Sequence, residues 1–327
     1  MIIQHFFFFM TACIFLVKSS DYLVKSLVKI SSFFKLNEFT IGFIIMAIST
    51  SLPELFVGIV SALDGEPIFA LGNAIGSNIM DLTIVIGIVT LLAKEIKIKS
   101  KIIKRDLIYM LLIVILPALL MIDHKIWNFL GIFPNTPRGI SRIDGFILLF
   151  VFAGYIWSMF RQERLFRKTI PPVSKVEVIK YALLFCASFL LLIISAHFVV
   201  DYASLLSFEL SIPPLLIGLF IISLGTSLPE LMFESKAVMS HHEEMAVGDL
   251  IGSVISNSTL VLGVTAIISP IVGDTLVFVS STFFMILIAF IFLTFAESDK
   301  GLSWKEGMSL VLLYLFFVII ETYIKSF

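Results

Sequence analysis

Apolar runs near 20 residues long recur along the chain, separated by short polar or charged stretches. A helix needs about 20 residues to cross roughly 30 Å of hydrocarbon. The pattern predicts ten spans, at about 3–30, 39–63, 67–93, 106–122, 143–160, 178–207, 213–238, 245–269, 275–296 and 304–324. The first is the least regular, because Lys18, Asp21 and Lys25 interrupt it at near-helical spacing. That spacing puts them on one stripe or lets their stems snorkel toward a membrane surface. Met10-Thr11-Ala12-Cys13 imitates a lipoprotein cleavage site, yet no basic residue precedes His5-Phe6 and the apolar stretch before the cysteine is short. The segment therefore reads as a first membrane helix and not as a leader.

Composition agrees with the pattern. Hydrophobic residues make up 59% of the 327 and charged ones only 14%, where soluble domains carry about 25% charged. The expected class is an all-α integral membrane protein of ten transmembrane helices. A net charge of −1 points to no polyanionic partner such as nucleic acid. Cys13 and Cys186 both sit in apolar runs and read as small core residues, so neither a redox compartment nor a disulfide follows from them.

Lys and Arg in the connections set the orientation. The 94–105 loop holds Lys94, Lys97, Lys99, Lys101, Lys104 and Arg105, and the 161–180 segment holds Arg161, Arg164, Arg167, Lys168, Lys175 and Lys180. The 64–66, 201–212 and 270–274 connections hold none, and only 123–142, with Lys125, Arg138 and Arg142, departs from the alternation. In a multi-pass protein of the cell membrane, ten spans with the N-terminus outside put both basic loops in the cytoplasm.

An internal repeat organises the chain. Thr50-Ser51-Leu52-Pro53-Glu54-Leu55 returns as Thr226-Ser227-Leu228-Pro229-Glu230-Leu231, an offset of 176 residues. The same offset maps Gly42 onto Gly218, Gly72 onto Gly248, Gly76-Ser77 onto Gly252-Ser253 and Gly87 onto Gly263. Five spans separate a residue from its copy, so the copies cross in opposite directions, the inverted-repeat plan of secondary transporters. The expected division is a first repeat over 1–160, a cytoplasmic linker over 161–177 and a second repeat over 178–327. The linker, which contains Pro171-Pro172, is too short for a regulatory domain.

Glu54 and Glu230 fall mid-span, where a carboxylate costs several kcal/mol and marks a functional site by default. Pro53 and Pro229 lack an N–H, so the carbonyls of Ser49 and Gly225 lose their helical donors. Thr50, Ser51, Thr226 and Ser227 add hydroxyls beside them. Carboxylate, hydroxyl and freed carbonyl form an all-oxygen shell suited to Ca²⁺ or Na⁺. Without thiolate or imidazole it does not suit zinc or copper. On the third span Asn73, Ser77 and Asp81 share one helical face, copied as Asp249, Ser253 and Asn257. The glycines beside them, Gly72, Gly76, Gly248 and Gly252, let helices approach closely.

These paired motifs resemble the α-repeats of the cation/calcium antiporter superfamily, most of all its prokaryotic sodium/calcium exchangers, with the likeness strongest at 42–87 and 218–263. The resemblance implies ten helices in two inverted five-helix halves that alternate access. It makes Glu54 and Glu230 the central calcium ligands, with Asp81 and Asn257 completing the ring. Thr50, Ser51, Ser77, Thr226, Ser227 and Ser253 would serve flanking sodium positions, with backbone carbonyls near Ala47 and Ser223. Asn73 and Asp249 are lesser candidate ligands. Ser49-Thr50 departs from the family's usual Gly-Thr, kept here at Gly225-Thr226. Members of the family also vary in which half carries Asp and which Asn at the 81/257 pair.

Several signals carry less. His241-His242-Glu243-Glu244 lies in a predicted turn and reads as a solvated loop. Asp249 fits either an ion ligand or a cap of span eight. Glu234, one turn beyond Glu230, fits a proton relay or the lining of an inner vestibule. The expected function is a sodium/calcium antiporter and not an enzyme, with Ca²⁺ and Na⁺ as transported ions, the bilayer as its setting, and no cofactor or protein partner implied. Proton/calcium antiport or a potassium-dependent variant of the same fold are the alternatives, and a cation channel is the alternative of another class. An intramembrane aspartyl protease is disfavoured, because Ala246-Val247-Gly248-Asp249 lacks the first glycine of Gly-x-Gly-Asp.

Overall fold

The computed structural model describes residues 2–33, 50–98, 100–130, 139–162, 175–272, 275–298 and 301–325. Its helices are α1 Ile2–Phe33, α2 Leu52–Leu63, α3 Pro67–Ala93, α4 Lys101–Leu130, α5 Arg142–Gln162 and α6 Lys175–Leu210. They continue as α7 Pro214–Thr226, α8 Leu228–Met239, α9 Glu243–Ile268, α10 Thr275–Ala296 and α11 Trp304–Lys325. Apolar chain in hydrocarbon must satisfy its own backbone, and a helix does so within one segment.

Among the described residues seven helices are long and apolar enough to cross a membrane, and α7 with α8, bent by 41°, makes an eighth. The chain is thus an all-α membrane protein. The predicted 106–122 span lies within α4, which is helical throughout despite Pro117. The predicted 39–63 span appears as α2, and its residues 39–49 lie outside the described set.

Packing repeats with the halves exchanged. The first helix of one half lies on that of the other, α1 on α6, and α4 lies on α10 in the same way. Contacts between unlike helices come in pairs: α2 against the end of α9 answers α8 against the end of α3, and α5 on α9 answers α11 on α3. That exchange is what an approximate two-fold axis between the halves produces.

A second offset relates the outer elements. Two residues, β1 Glu95–Ile96, pair antiparallel with β2 Leu302–Ser303, and Ile140 bridges Ile271 in the corresponding place. Gly301 (φ 69°) and Gly139 (φ 144°) precede the two bridges in left-handed backbone, where a Cβ would meet the Ile96 or Ile271 carbonyl oxygen at 2.1 or 2.0 Å. Ser303 then opens α11 and Ser141 opens α5. Each donates its backbone N–H to a carboxylate three residues on, Glu306 or Asp144, at 2.7 Å. That side-chain anchor fixes a helix start. The offset here is 162, fourteen short of 176, so the first half carries fourteen additional residues between α3 and α5.

One apolar core fills the space among α3, α4, α9, α10 and α11, and a second, around Phe9, Leu16, Leu192 and Val199, joins α1 to α6. Outward faces are apolar too: Leu183, Leu190 and Ile194 of α6 and Leu312, Phe316 and Ile319 of α11 are exposed. The cysteine expectation holds for Cys13, which is buried against Gly225. It fails for Cys186, exposed on α6. An apolar run in a membrane helix does not say which side faces protein.

Candidate cation site

Close backbone contact between the halves builds the site. A Cβ on Gly72 would lie 2.2 Å from the Leu215 carbonyl oxygen, and one on Gly76 at 2.2 Å from that of Leu219. Only glycine lets α3 approach α7 this closely. The contact presses the Asn73, Ser77 and Asp81 face of α3, fully buried, onto the break between α7 and α8.

That break sits at Ser227 (φ −82°, ψ 4°), and its counterpart precedes α2 at Ser51 (φ −83°, ψ 7°). Pro229 and Pro53 occupy the first turn after each break, and Glu230 and Glu54 follow in that same turn. A helix N-terminus favours a carboxylate. The last turn of α7, Ser223–Thr226, meanwhile brings its C-terminal carbonyls to the same place. Broken helices of this kind put both dipole ends at one point in the membrane.

Asp81 and Asn257 each open a π-helical turn, Asp81–Val85 and Asn257–Val261. In both, a threonine hydroxyl returns to the carbonyl four residues earlier, Thr83 to Ile79 and Thr259 to Ile255. The wider turn re-aims the side chain at its start, and such turns concentrate at functional sites.

The hydroxyls interlock across the halves. Ser77 Oγ lies 3.3 Å from Thr226 Oγ1, and the exchanged pair, Thr50 Oγ1 and Ser253 Oγ, lies at 2.9 Å. Thr226 donates to Asn73 Oδ1 at 3.0 Å, and Ser77 donates to Glu54 Oε1 at 3.4 Å. Ser227 lies beside Asp81, and Thr50 beside Asp249. Glu230 accepts no hydrogen bond from another residue with either carboxylate oxygen, and neither polar atom of Asn257 nor Ser51 Oγ has a partner. A buried polar group left without a partner in a protein is rare and calls for a ligand or other cause.

The predicted residues thus converge: Glu54, Glu230, Asp81, Asn257, Thr50, Ser51, Ser77, Thr226, Ser227, Ser253, Ser223, Asn73 and Asp249 are all buried around one region. Ala47 lies outside the described residues. Asp249 is no helix cap, since α9 opens at Glu243 and Asp249 lies two turns inside it. His241 and His242 form the exposed turn between α8 and α9, as expected of a solvated turn, and with Glu243 and Glu244, which open α9, they line an open cleft of about 820 Å³ with Lys94, Glu95 and Lys97. Sequence reasoning missed Asn78, whose amide donates to Ser258 Oγ at 2.8 Å and braces α3 against α9. Asn78 has no polar copy under the 176 offset, so the repeat gave no signal for it.

Five carboxylates, those of Glu54, Asp81, Glu230, Glu234 and Asp249, act on one another here, and among the described residues no Lys or Arg pairs with them. An all-α membrane bundle in two exchanged halves, closing on buried unpaired carboxylates and hydroxyls, has the build of a cation exchanger. The chain belongs to the sodium/calcium exchanger protein family, whose model matches residues 4–161 and 180–323. It is 30% identical over 288 residues to the inner membrane protein YrbG of Escherichia coli (strain K12), covering 84% of this chain and 83% of that protein. To the sodium/calcium exchanger MaX1 of Methanosarcina acetivorans it is 27% identical, over 99% of this chain and all of that one. The structure of the sodium-calcium exchanger NCX_Mj soaked with 2.5 mM Na⁺ and 10 mM Sr²⁺ superposes with a TM-score of 0.65 at 26% identity, covering 98% of this chain and 99% of that one.

Proposed function

We propose that the chain exchanges Na⁺ for Ca²⁺ across the cell membrane by alternating access. In this reading Glu54 and Glu230 are the central Ca²⁺ ligands and Asp81 and Asn257 complete their ring. The hydroxyls of Thr50, Ser51, Ser77, Thr226, Ser227 and Ser253, with the Ala47 and Ser223 carbonyls, hold Na⁺, and Asn73 lines the same cavity. Residues 1–160 and 178–327 are the two moving halves, joined by 161–177. The N-terminus is outside and the basic 94–105 and 161–180 loops are cytoplasmic.

One observation carries the reading: two fully buried carboxylates, related by the repeat, stand among cross-paired hydroxyls with no basic partner among the described residues. A desolvated divalent ion requires that charge, and hydroxyl and carbonyl oxygens suit Na⁺. The same hydroxyls favour Na⁺ over protons as the counter-ion, since proton carriage needs only carboxylates. Ca²⁺ uptake into proteoliposomes loaded in turn with Na⁺, with K⁺ or with a pH gradient separates the readings. Uptake driven by internal Na⁺ alone supports this one. Equal uptake with a pH gradient and no Na⁺ assigns proton coupling.

A further inference from the structure

The second half carries two buried acids where the first half has none, besides the Asp81/Asn257 pair, in which the acid belongs to the first half. Glu234 of α8 corresponds to Gly58 of α2, and Asp249 of α9 corresponds to Asn73 of α3. On the first-half side there is no room for a further side chain: a Cβ on Gly58 would lie 2.7 Å from Thr265 Oγ1 and 3.2 Å from Val261 Cγ1. On the second-half side a full glutamate is accommodated. Glu234 is wholly buried and neither of its carboxylate oxygens has a hydrogen-bond partner.

Glu234 and Asp249 stand at one depth. They lie five residues before the end of α8 and six after the start of α9, on neighbouring antiparallel helices joined by a tight turn. Both act electrostatically with Asp81, and Asp249 has the Thr50 hydroxyl beside it. The cluster lies toward the end of the bundle that carries Lys94 and Lys97, one helical turn from Glu230.

Charge count makes the arrangement demanding. One Ca²⁺ in a ring of Glu54, Glu230 and Asp81 leaves the carboxyls of Glu234 and Asp249 outside it, to be neutralised by protons or by a further cation. Uncompensated charges in a low-dielectric interior are among the costliest features a protein can hold. We propose that Glu234 and Asp249, with Asp81 beside them, form a second cation position that takes Na⁺ or Ca²⁺ while the central position is filled. Carboxylate and hydroxyl oxygens are hard donors suited to either ion. The inference rests on the exchanger reading and adds a bound ion on one side only, so the halves are unequal in the ions they hold.

Equilibrium dialysis of the purified full chain with ⁴⁵Ca²⁺ and ²²Na⁺ counts ions per protein and identifies which ion fills the second position. The variants are Glu234→Gln, Asp249→Asn, and Glu234→Gly with Asp249→Asn, which gives the second half the residues of the first. Elution by size exclusion checks that each folds, and Glu234→Gln, nearly isosteric, remains informative if the double variant aggregates. Each should bind one cation fewer per protein than wild type at saturation, while Glu54→Gln loses a different one, so that combining it with Glu234→Gln removes two. An unchanged count in folded Glu234→Gln and Asp249→Asn, with Ca²⁺ binding intact, overturns this inference alone. A wild-type protein that binds no Ca²⁺ at all overturns the exchanger reading and this one with it.

Discussion

Gly76→Ala tests whether the site depends on backbone contact between the halves. The added Cβ would lie 2.2 Å from the Leu219 carbonyl oxygen and 2.8 Å from its Cα, where ordinary contact begins near 3.4 Å. Both neighbours are backbone, so no rotamer change relieves the clash, and α3 must move from α7 by roughly 1 Å. Overpacking of this kind costs about 1–3 kcal/mol. The Ser77–Thr226 contact beside it is already 3.3 Å long and does not survive such a shift as a hydrogen bond. Gly154→Ala is the control: nothing lies within 4 Å of its Cβ position on exposed α5. There alanine should gain up to about 1 kcal/mol of helix stability. Thermal unfolding in detergent, followed by ⁴⁵Ca²⁺ binding on the same samples, reads both effects. Gly76→Ala should melt earlier and bind Ca²⁺ more weakly, and Gly154→Ala should do neither. Equal melting and equal affinity in the two variants would refute the argument that close approach at Gly76 positions the site.

Other substitutions separate ligands from scaffold. Glu230→Gln removes one buried charge from a desolvated ion, a loss of about 3–5 kcal/mol, so Ca²⁺ affinity measured by isotope binding should fall by roughly 150- to 5,000-fold; near wild-type affinity would show that Glu230 is no direct ligand. Asp81→Asn should impair transport, and adding Asn257→Asp should recover much of it, because the two open matching π turns on either side of the local axis; no recovery in uptake assays would make the two positions functionally unequal. Glu321→Gln should leave Ca²⁺ binding unchanged while lowering the melting temperature, because that buried carboxylate already accepts from Ser280 at 3.1 Å and Ser281 at 3.2 Å, bonds to a charged group worth about 1.5–3 kcal/mol each.

Hydropathy placed the helices well because a membrane span is a long one-letter signal, and the observed ends of α5, α6, α10 and α11 lie within a few residues of those predicted. The 176-residue offset also found the polar face of α3, since identical motifs recur without a gap. What stayed hidden depends on packing or on a gap. The Gly-x-Ser-x-x-acid pattern at 139–144 and 301–306 is visible in the sequence, but only to a search allowing fourteen extra residues in the first half. Neither π turn has a residue signature, because the extra residue per turn is set by what packs on the helix. The exposure of Cys186 is decided by which face of α6 meets α1. Asp249 read equally as cap or ligand until the start of α9 fell six residues earlier.

If one buried site couples Na⁺ to Ca²⁺, simultaneous flux of the two ions measures that coupling. Proteoliposomes loaded with ²²Na⁺ are diluted into medium with or without ⁴⁵Ca²⁺, using wild-type protein and Glu54→Gln. With coupling at that site, Na⁺ leaves only when external Ca²⁺ is present, Ca²⁺ enters in fixed proportion to it, and both fluxes vanish in Glu54→Gln. Sodium efflux that ignores Ca²⁺, or Ca²⁺ entry that persists into sodium-free vesicles, would contradict it.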